Sequence, residues 1–125
     1  MSTAKTGSGK FGELYAAEML KTGGYAIIAA NYRSRYGEID IIAKNGQYIV
    51  FVEVKTRSES AIARPAAWVD SRKQQKLIKT ALMYLSENQT ELQPRFDVIE
   101  IVTERGRHEV RSYNHIKNAF LSEGL

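Results

Sequence analysis

Two segments carry charge where a buried strand should carry none. "GEIDIIA" (37–43) and "IVFVEVKTR" (49–57) are rich in Ile, Val and Phe, yet Glu38, Asp40, Glu53 and Lys55 interrupt them at two-residue spacing. Side chains alternate across a strand, so residues two apart share a face. One ammonium cannot neutralise three nearby carboxylates. Two carboxylates about 6 Å apart repel by roughly 3 kcal/mol at an effective dielectric of about 20. A hard divalent cation suits such a group, because Mg²⁺ takes oxygen ligands and is commonly held by one or two carboxylates plus a substrate phosphate. The plainer reading is a solvated Glu–Lys pair on an exposed hairpin, which contributes little. Ile42, Ile49 and Phe51 on the same face argue that it is covered, and a covered face with an acidic end makes a cleft.

The linker "KNGQ" (44–47) sets how the two segments meet. Asn-Gly between β-rich runs signals a hairpin, because a type I′ turn needs positive φ at both central residues. With Asn45-Gly46 as a two-residue turn, Ala43 is expected opposite Tyr48, Ile41 opposite Val50, Asp40 opposite Phe51 and Glu38 opposite Glu53. Asp40 and Glu53 then become diagonal neighbours, about 7–8 Å apart at Cα. One face would carry Ile39, Ile41, Val50, Val52 and Val54 and belong to the core. The other would carry Ile42, Ile49 and Phe51, with Glu38, Asp40, Glu53 and Lys55 at its open end.

The remaining elements must hold this hairpin. Good helix formers run from Lys10 to Lys21 and stop at "TGG" (22–24), since Gly favours the left-handed backbone that ends helices. A short apolar strand is expected over Tyr25–Asn31 and a basic turn over 33–37. Residues 56–68, interrupted by Pro65, read as a mobile loop, and residues 1–8 as flexible. Asp70 or Ser71 caps a second helix running to about Ser86, with Leu77, Ile78, Ala81, Leu82 and Leu85 on one stripe. A strand over 95–103, a short strand near 108–113 and a terminal helix over 114–120, capped by Asn114, complete an α-β-β-β-α-β-β-α order. That order implies a mixed sheet with helices on its faces.

Composition narrows the classes. The chain has 125 residues, which suits one domain over 1–125, and its formal charge of +4 fits a nucleic-acid partner without demanding one. The absence of cysteine excludes a disulfide scaffold and a Cys-based zinc site. "MSTAKTGSGK" lacks the apolar stretch of a secretory signal, and no run approaches the roughly 20 apolar residues of a membrane span, so a cytoplasmic protein without membrane contact is expected. "KTGSGK" is not a phosphate loop, since Ala4 stands at the first glycine position and Phe11 follows Lys10. His108 and His115 are expected at the surface, and Asp97 in a structural salt bridge with Arg95 or a neighbour.

Asp40, twelve residues, then Glu53-x-Lys55 has the form D-x(n)-E-x-K. It resembles the PD-(D/E)xK nuclease superfamily, whose restriction-endonuclease-like fold has an αβββαβ core. "GKFGELYAAEML", "NYRSRYGEIDIIA", "IVFVEVKTR" and "RFDVIEI" together are similar to the YraN-like uncharacterised bacterial family, related to archaeal Holliday junction resolvases. Nearly the whole chain is covered, with Ile39 standing where the superfamily name has Pro. The resemblance implies an α/β fold with a central mixed sheet flanked by helices. It also implies an endonuclease that uses Mg²⁺ or Mn²⁺ to hydrolyse phosphodiester bonds of branched or structured DNA, with homodimerisation allowed. The alternative is a nucleic-acid-binding module on the same fold with little cleavage activity. By the same resemblance Asp40 and Glu53 would hold the metal, and Lys55 would orient or activate the attacking water and offset charge on the phosphate. Glu13 would bind the metal directly or through water. The residues alone leave Glu13 and Glu18 equal, and the context "GKFGE" favours Glu13. Glu38 would take a supporting position. Candidates for following a phosphate backbone are Arg57, Lys73, Arg33, Arg35 and Arg72, with Lys44, Arg64, Lys76 and Lys79 as further basic residues. Tyr36 either stacks on a base or packs, and Trp68 either anchors the second helix or closes over DNA with its loop.

Overall fold

Gly12, Ala16 and Leu20 lie four apart on one buried stripe of the first helix, α1 (Gly7–Thr22). The small residues let this helix sit close to the sheet: a Cβ at Gly12 would overlap Thr56 Oγ1. The helix ends as "TGG" predicts. Gly24 adopts φ 95°, and the Tyr25 N–H reaches back to the Leu20 carbonyl at 2.9 Å. The computed structural model describes residues 7–59, 69–104 and 109–120.

Five strands follow, β1 (Ala26–Ser34), β2 (Gly37–Lys44), β3 (Tyr48–Ser58), β4 (Gln93–Thr103) and β5 (Val110–Phe120), with α2 (Ser71–Glu87) between β3 and β4. They form one sheet in the order β1-β2-β3-β4-β5. All neighbours are antiparallel except β3 and β4, which run parallel because α2 carries the chain back across the sheet. Alternation along β3 feeds both faces. Ile49 and Phe51 join Leu77, Ala81 and Tyr84 of α2, while Val50 and Val52 join Ala16 and Leu20 of α1. Full burial of a large apolar side chain such as Val50, Phe51 or Leu20 stabilises by roughly 1.5–3 kcal/mol. A mixed sheet with a helix layer on each face is the expected α/β architecture, and its αβββαβ portion has the restriction-endonuclease-like order.

Several local expectations change. Residues 114–120 are not a helix: they continue β5, and Asn114 pairs with Glu100 instead of capping. Tyr113 and His115 lie opposite Ile101 and Ile99, so cross-strand packing decides this segment. β1 begins after Tyr25 and runs on to Ser34, which narrows the basic turn to Arg35-Tyr36. β3 runs to Ser58, so residues 56–58 are strand, not loop. Residues 60–68, with Arg64 and Trp68, and His108 lie outside the described residues, as does most of the 1–8 segment; Gly7 and Ser8 open α1. Asp70 caps α2, its carboxylate accepting the Lys73 N–H at 2.8 Å, but Leu82 is 44 % exposed and Thr80 and Tyr84 are buried instead.

The hairpin also turns differently. The last pair is Lys44↔Ile49, and neither Asn45 nor Gly46 has positive φ, so the connection is not type I′. The Asn45 side chain closes it, accepting the N–H groups of Gln47 and Tyr48 at 2.8 and 2.7 Å. The register is therefore Ile41↔Val52, Ile42↔Phe51 and Ala43↔Val50, two residues from the expected one. Ile39 also changes side, joining Ile42 and Phe51 near α2 rather than Ile41. The alternation breaks at one level across β1 and β2: Asn31, at φ 54°, lies by register opposite Asp40.

Candidate active site

The central hairpin comes apart where its charges begin. β2 stays paired with β1 down to Gly37, and β3 stays paired with β4 out to Ser58, but β2 and β3 pair only between Ile41↔Val52 and Lys44↔Ile49. One step further, this register places Asp40 opposite Glu53, where a two-residue turn would have made them diagonal neighbours. There the Val54 N–H donates to Asp40 Oδ2 at 2.8 Å instead of to a strand carbonyl. The parted strands open a cleft of about 350 Å³, lined by Tyr36, Gly37, Glu38, Asp40, Glu53, Val54, Lys73, Lys76 and Leu77. Asp40 and Glu53 are both buried, at 6 % and 9 % exposure.

Burial raises the Glu53 carboxyl above its ordinary value, and the Asp40 charge raises it further; Lys73 and Lys55 offset only part of this. Lys73, from the first turn of α2, places its ammonium 3.2 Å from Glu53 Oε2. Lys55 is half-buried and makes no ion pair among the described residues. Two buried carboxylates, one of them held against ionisation by burial and then by the other, form the donor set that a hard divalent cation relieves. Among the described residues no group of three His, Asp or Glu side chains is gathered tightly enough to make a full protein cage.

Of the residues singled out from sequence, Asp40, Glu53, Glu38 and Lys73 line the cleft, and Lys55 lies near enough to act on the Glu53 charge. Glu13 is half-buried on α1 and does not line it. It follows Gly12, whose close approach to Thr56 sets this turn of α1 against the strand end that carries Lys55. Arg33 pairs with Glu38 across the β1–β2 hairpin at 3.6 Å. Arg35 lies over the Tyr36 ring at 5.1 Å and donates to its hydroxyl at 3.0 Å, while Lys79 faces the same ring at 5.6 Å. Arg72 is exposed on the first turn of α2. Arg57 leaves the cleft group: its guanidinium binds Glu100 of β4 at 2.7 Å. Lys76 is a lining residue that the sequence offered only as one basic residue among many. Its spacing of three from Lys73 on a capped helix was the available signal.

A second charged group lies in the α1 layer. Asp97 accepts from Arg95 Nε and Nη2 at 2.9 and 2.8 Å, from the Asn118 N–H at 2.9 Å, and meets His115 Nε2 at 2.7 Å. Arg95 also donates to the Tyr25 hydroxyl at 2.7 Å and lies over the Tyr48 ring. The expected Arg95–Asp97 salt bridge is present, but His115 is not a surface residue, because it is drawn in by Asp97.

A mixed five-stranded sheet, an αβββαβ order and an acidic cleft where two central strands part define a protein of the restriction-endonuclease-like fold class. Residues 12–101 match the sequence profile of the uncharacterised protein family UPF0102. The chain belongs to that family, which is the YraN-like family its motifs resemble. A UPF0102 protein of Caldanaerobacter subterraneus subsp. tengcongensis is 44 % identical over 113 residues, covering 90 % of this chain and 93 % of the relative. One from Thermodesulfovibrio yellowstonii is 46 % identical over 112 residues, covering 90 % and 94 %. One from Clostridium botulinum is 43 % identical over 116 residues, covering 90 % and 92 %. Among the described residues no helix is long and apolar enough to cross a membrane.

Proposed function

We propose that this protein is a divalent-metal-dependent endonuclease that hydrolyses phosphodiester bonds of DNA, with branched or otherwise structured DNA as its substrate. The observation that carries this reading is the parting of β2 from β3, which leaves Asp40 and Glu53 facing each other, buried, in a cleft rimmed by lysines. Asp40 and Glu53 would hold Mg²⁺ or Mn²⁺, with Glu13 reaching it through water. A bound metal lowers the pKa of its water and offsets phosphate charge. Lys55, on the same rigid strand as Glu53, holds positive charge where the attacked phosphate becomes more anionic. The Val54 N–H fixes one Asp40 oxygen, so that carboxylate needs little reorganisation. Lys73, Lys76, Arg33, Arg35 and Arg72 would follow the backbone. Two copies of the chain would suit a symmetric junction.

A second reading, a binding module with little cleavage, is favoured by one contact: Lys73 already neutralises part of the Glu53 charge. One experiment separates the two. Duplex, flap, four-way-junction and single-stranded DNA are incubated with Mg²⁺ or Mn²⁺ and wild type, Asp40→Asn or Lys55→Ala. Cleavage of a structured substrate by wild type, lost in both variants, is expected. Equal cutting by all three refutes the site, and binding without cutting selects the second reading.

A further inference from the structure

Lys73 sits where the metal charge would act. Its ammonium is 3.2 Å from Glu53 Oε2, and no other ion pair to Glu53 exists among the described residues. The backbone of Lys73 is fixed, because its N–H is held by the Asp70 cap at 2.8 Å and Leu77, one turn on, is buried against the sheet. Its side chain is not fixed: it is 47 % exposed, on a stem of four rotatable carbons.

We propose that Lys73 is a displaceable counter-ion, which holds Glu53 while the cation is absent and turns to the DNA phosphate once the cation is bound. The inference rests on the metal-dependent reading above and adds a coupling to it. A divalent cation between Asp40 and Glu53 takes over the carboxylate that Lys73 holds, and two positive charges side by side in a buried cleft repel. The flexible side chain then leaves toward the open rim, where the substrate phosphate stands. Metal and DNA therefore bind with positive coupling, because the metal frees the lysine that DNA requires. Lys76 is the internal control. It lines the same cleft with the same charge, but it makes no ion pair with Glu53.

The test is calorimetric titration of Mn²⁺ into wild type, Lys73→Met, Lys76→Met and Glu53→Gln. Lys73→Met is expected to bind Mn²⁺ about tenfold more tightly than wild type, the size of a half-exposed pair to a buried carboxylate, and Lys76→Met to stay within about twofold. Glu53→Gln should lose the saturable heat. Fluorescence anisotropy of a labelled four-way junction in Ca²⁺ should then give a larger metal-dependent gain in DNA affinity for wild type than for Lys73→Met. Unchanged Mn²⁺ affinity in Lys73→Met, an equal gain in Lys76→Met, or equal Ca²⁺ gains in DNA binding overturn the inference and leave the metal site standing. No Mn²⁺ binding by wild type or by Lys73→Met removes the metal-dependent reading itself, and the inference with it.

Discussion

Replacing Asp97 by Asn should unfold the protein far more readily than its single-atom change suggests. Asp97 Oδ1 accepts from Arg95 Nε and the Asn118 N–H, and Oδ2 accepts from Arg95 Nη2 and meets His115 Nε2. An asparagine keeps one acceptor oxygen. Whichever way its amide turns, an NH₂ faces a guanidinium N–H of Arg95. Two charge-assisted hydrogen bonds are lost, and an arginine only 9 % exposed keeps its charge without a carboxylate. Breaking a buried pair in this way costs about 3–5 kcal/mol. For a chain of this length that is a fall in Tm of about 10–20 °C. The cost should depend on pH in a defined sense. Burial alone would raise the Asp97 carboxyl, but hydrogen bonds from His115, Arg95 and the Asn118 N–H outweigh it and hold it below the ordinary 3.8. A lowered carboxyl pKa gives stability that is present above that ordinary value and is lost as pH falls through the folded-state value. Urea unfolding of wild type and Asp97→Asn at a series of pH values measures both. A gap under about 1 kcal/mol at neutral pH, or one that stays constant as pH falls below the carboxylate range, would refute this account.

At the cleft the sign reverses. Glu53 is raised above 4.5 by burial and by Asp40, so the folded state holds its proton more tightly and its contribution to stability falls as pH rises from there. Glu53→Gln should remove that fall, gaining on wild type as pH climbs through this window in metal-free urea unfolding; a widening deficit would contradict it. Gly12→Ala forces a methyl onto Thr56 and should cost about 1–3 kcal/mol. Thr56→Ala in the same chain should recover part of this, and strict additivity in a double-mutant cycle would dismiss the contact.

The sequence made the parts of the site legible better than their spacing. Asp40, Glu53 and Lys55 could be singled out because charge in an apolar strand is conspicuous. Their mutual position depended on the turn, and Asn45 can close a turn either by positive φ or with its own carboxamide; only the surrounding strands decide. The same limit hid Ile39, since strict alternation assumes a regular strand and Asn31 interrupts the ladder at that level. The 114–120 segment misled for another reason. "NHIKNAF" has both a helix cap and a strand former, and the exposed edge of β4, which takes it up, lies far away in sequence. Partners such as Arg57–Glu100 and Asp97–His115 are set by neighbouring strands and could not be ranked from charge alone.

The bond from the Val54 N–H to Asp40 has an evolutionary reading. It closes a backbone donor that the parted ladder would otherwise strand beside a buried cleft, so an acid at position 40 serves folding as well as the proposed chemistry. A descendant without the proposed cleavage would still be under selection to keep it. Glu53 and Lys55 are different: Glu53 is held against its own ionisation, and Lys55 has no ion-pair partner among the described residues. Relaxed selection would erode those two positions first. In relatives of this chain, they and not Asp40 would be the informative markers of the proposed catalysis.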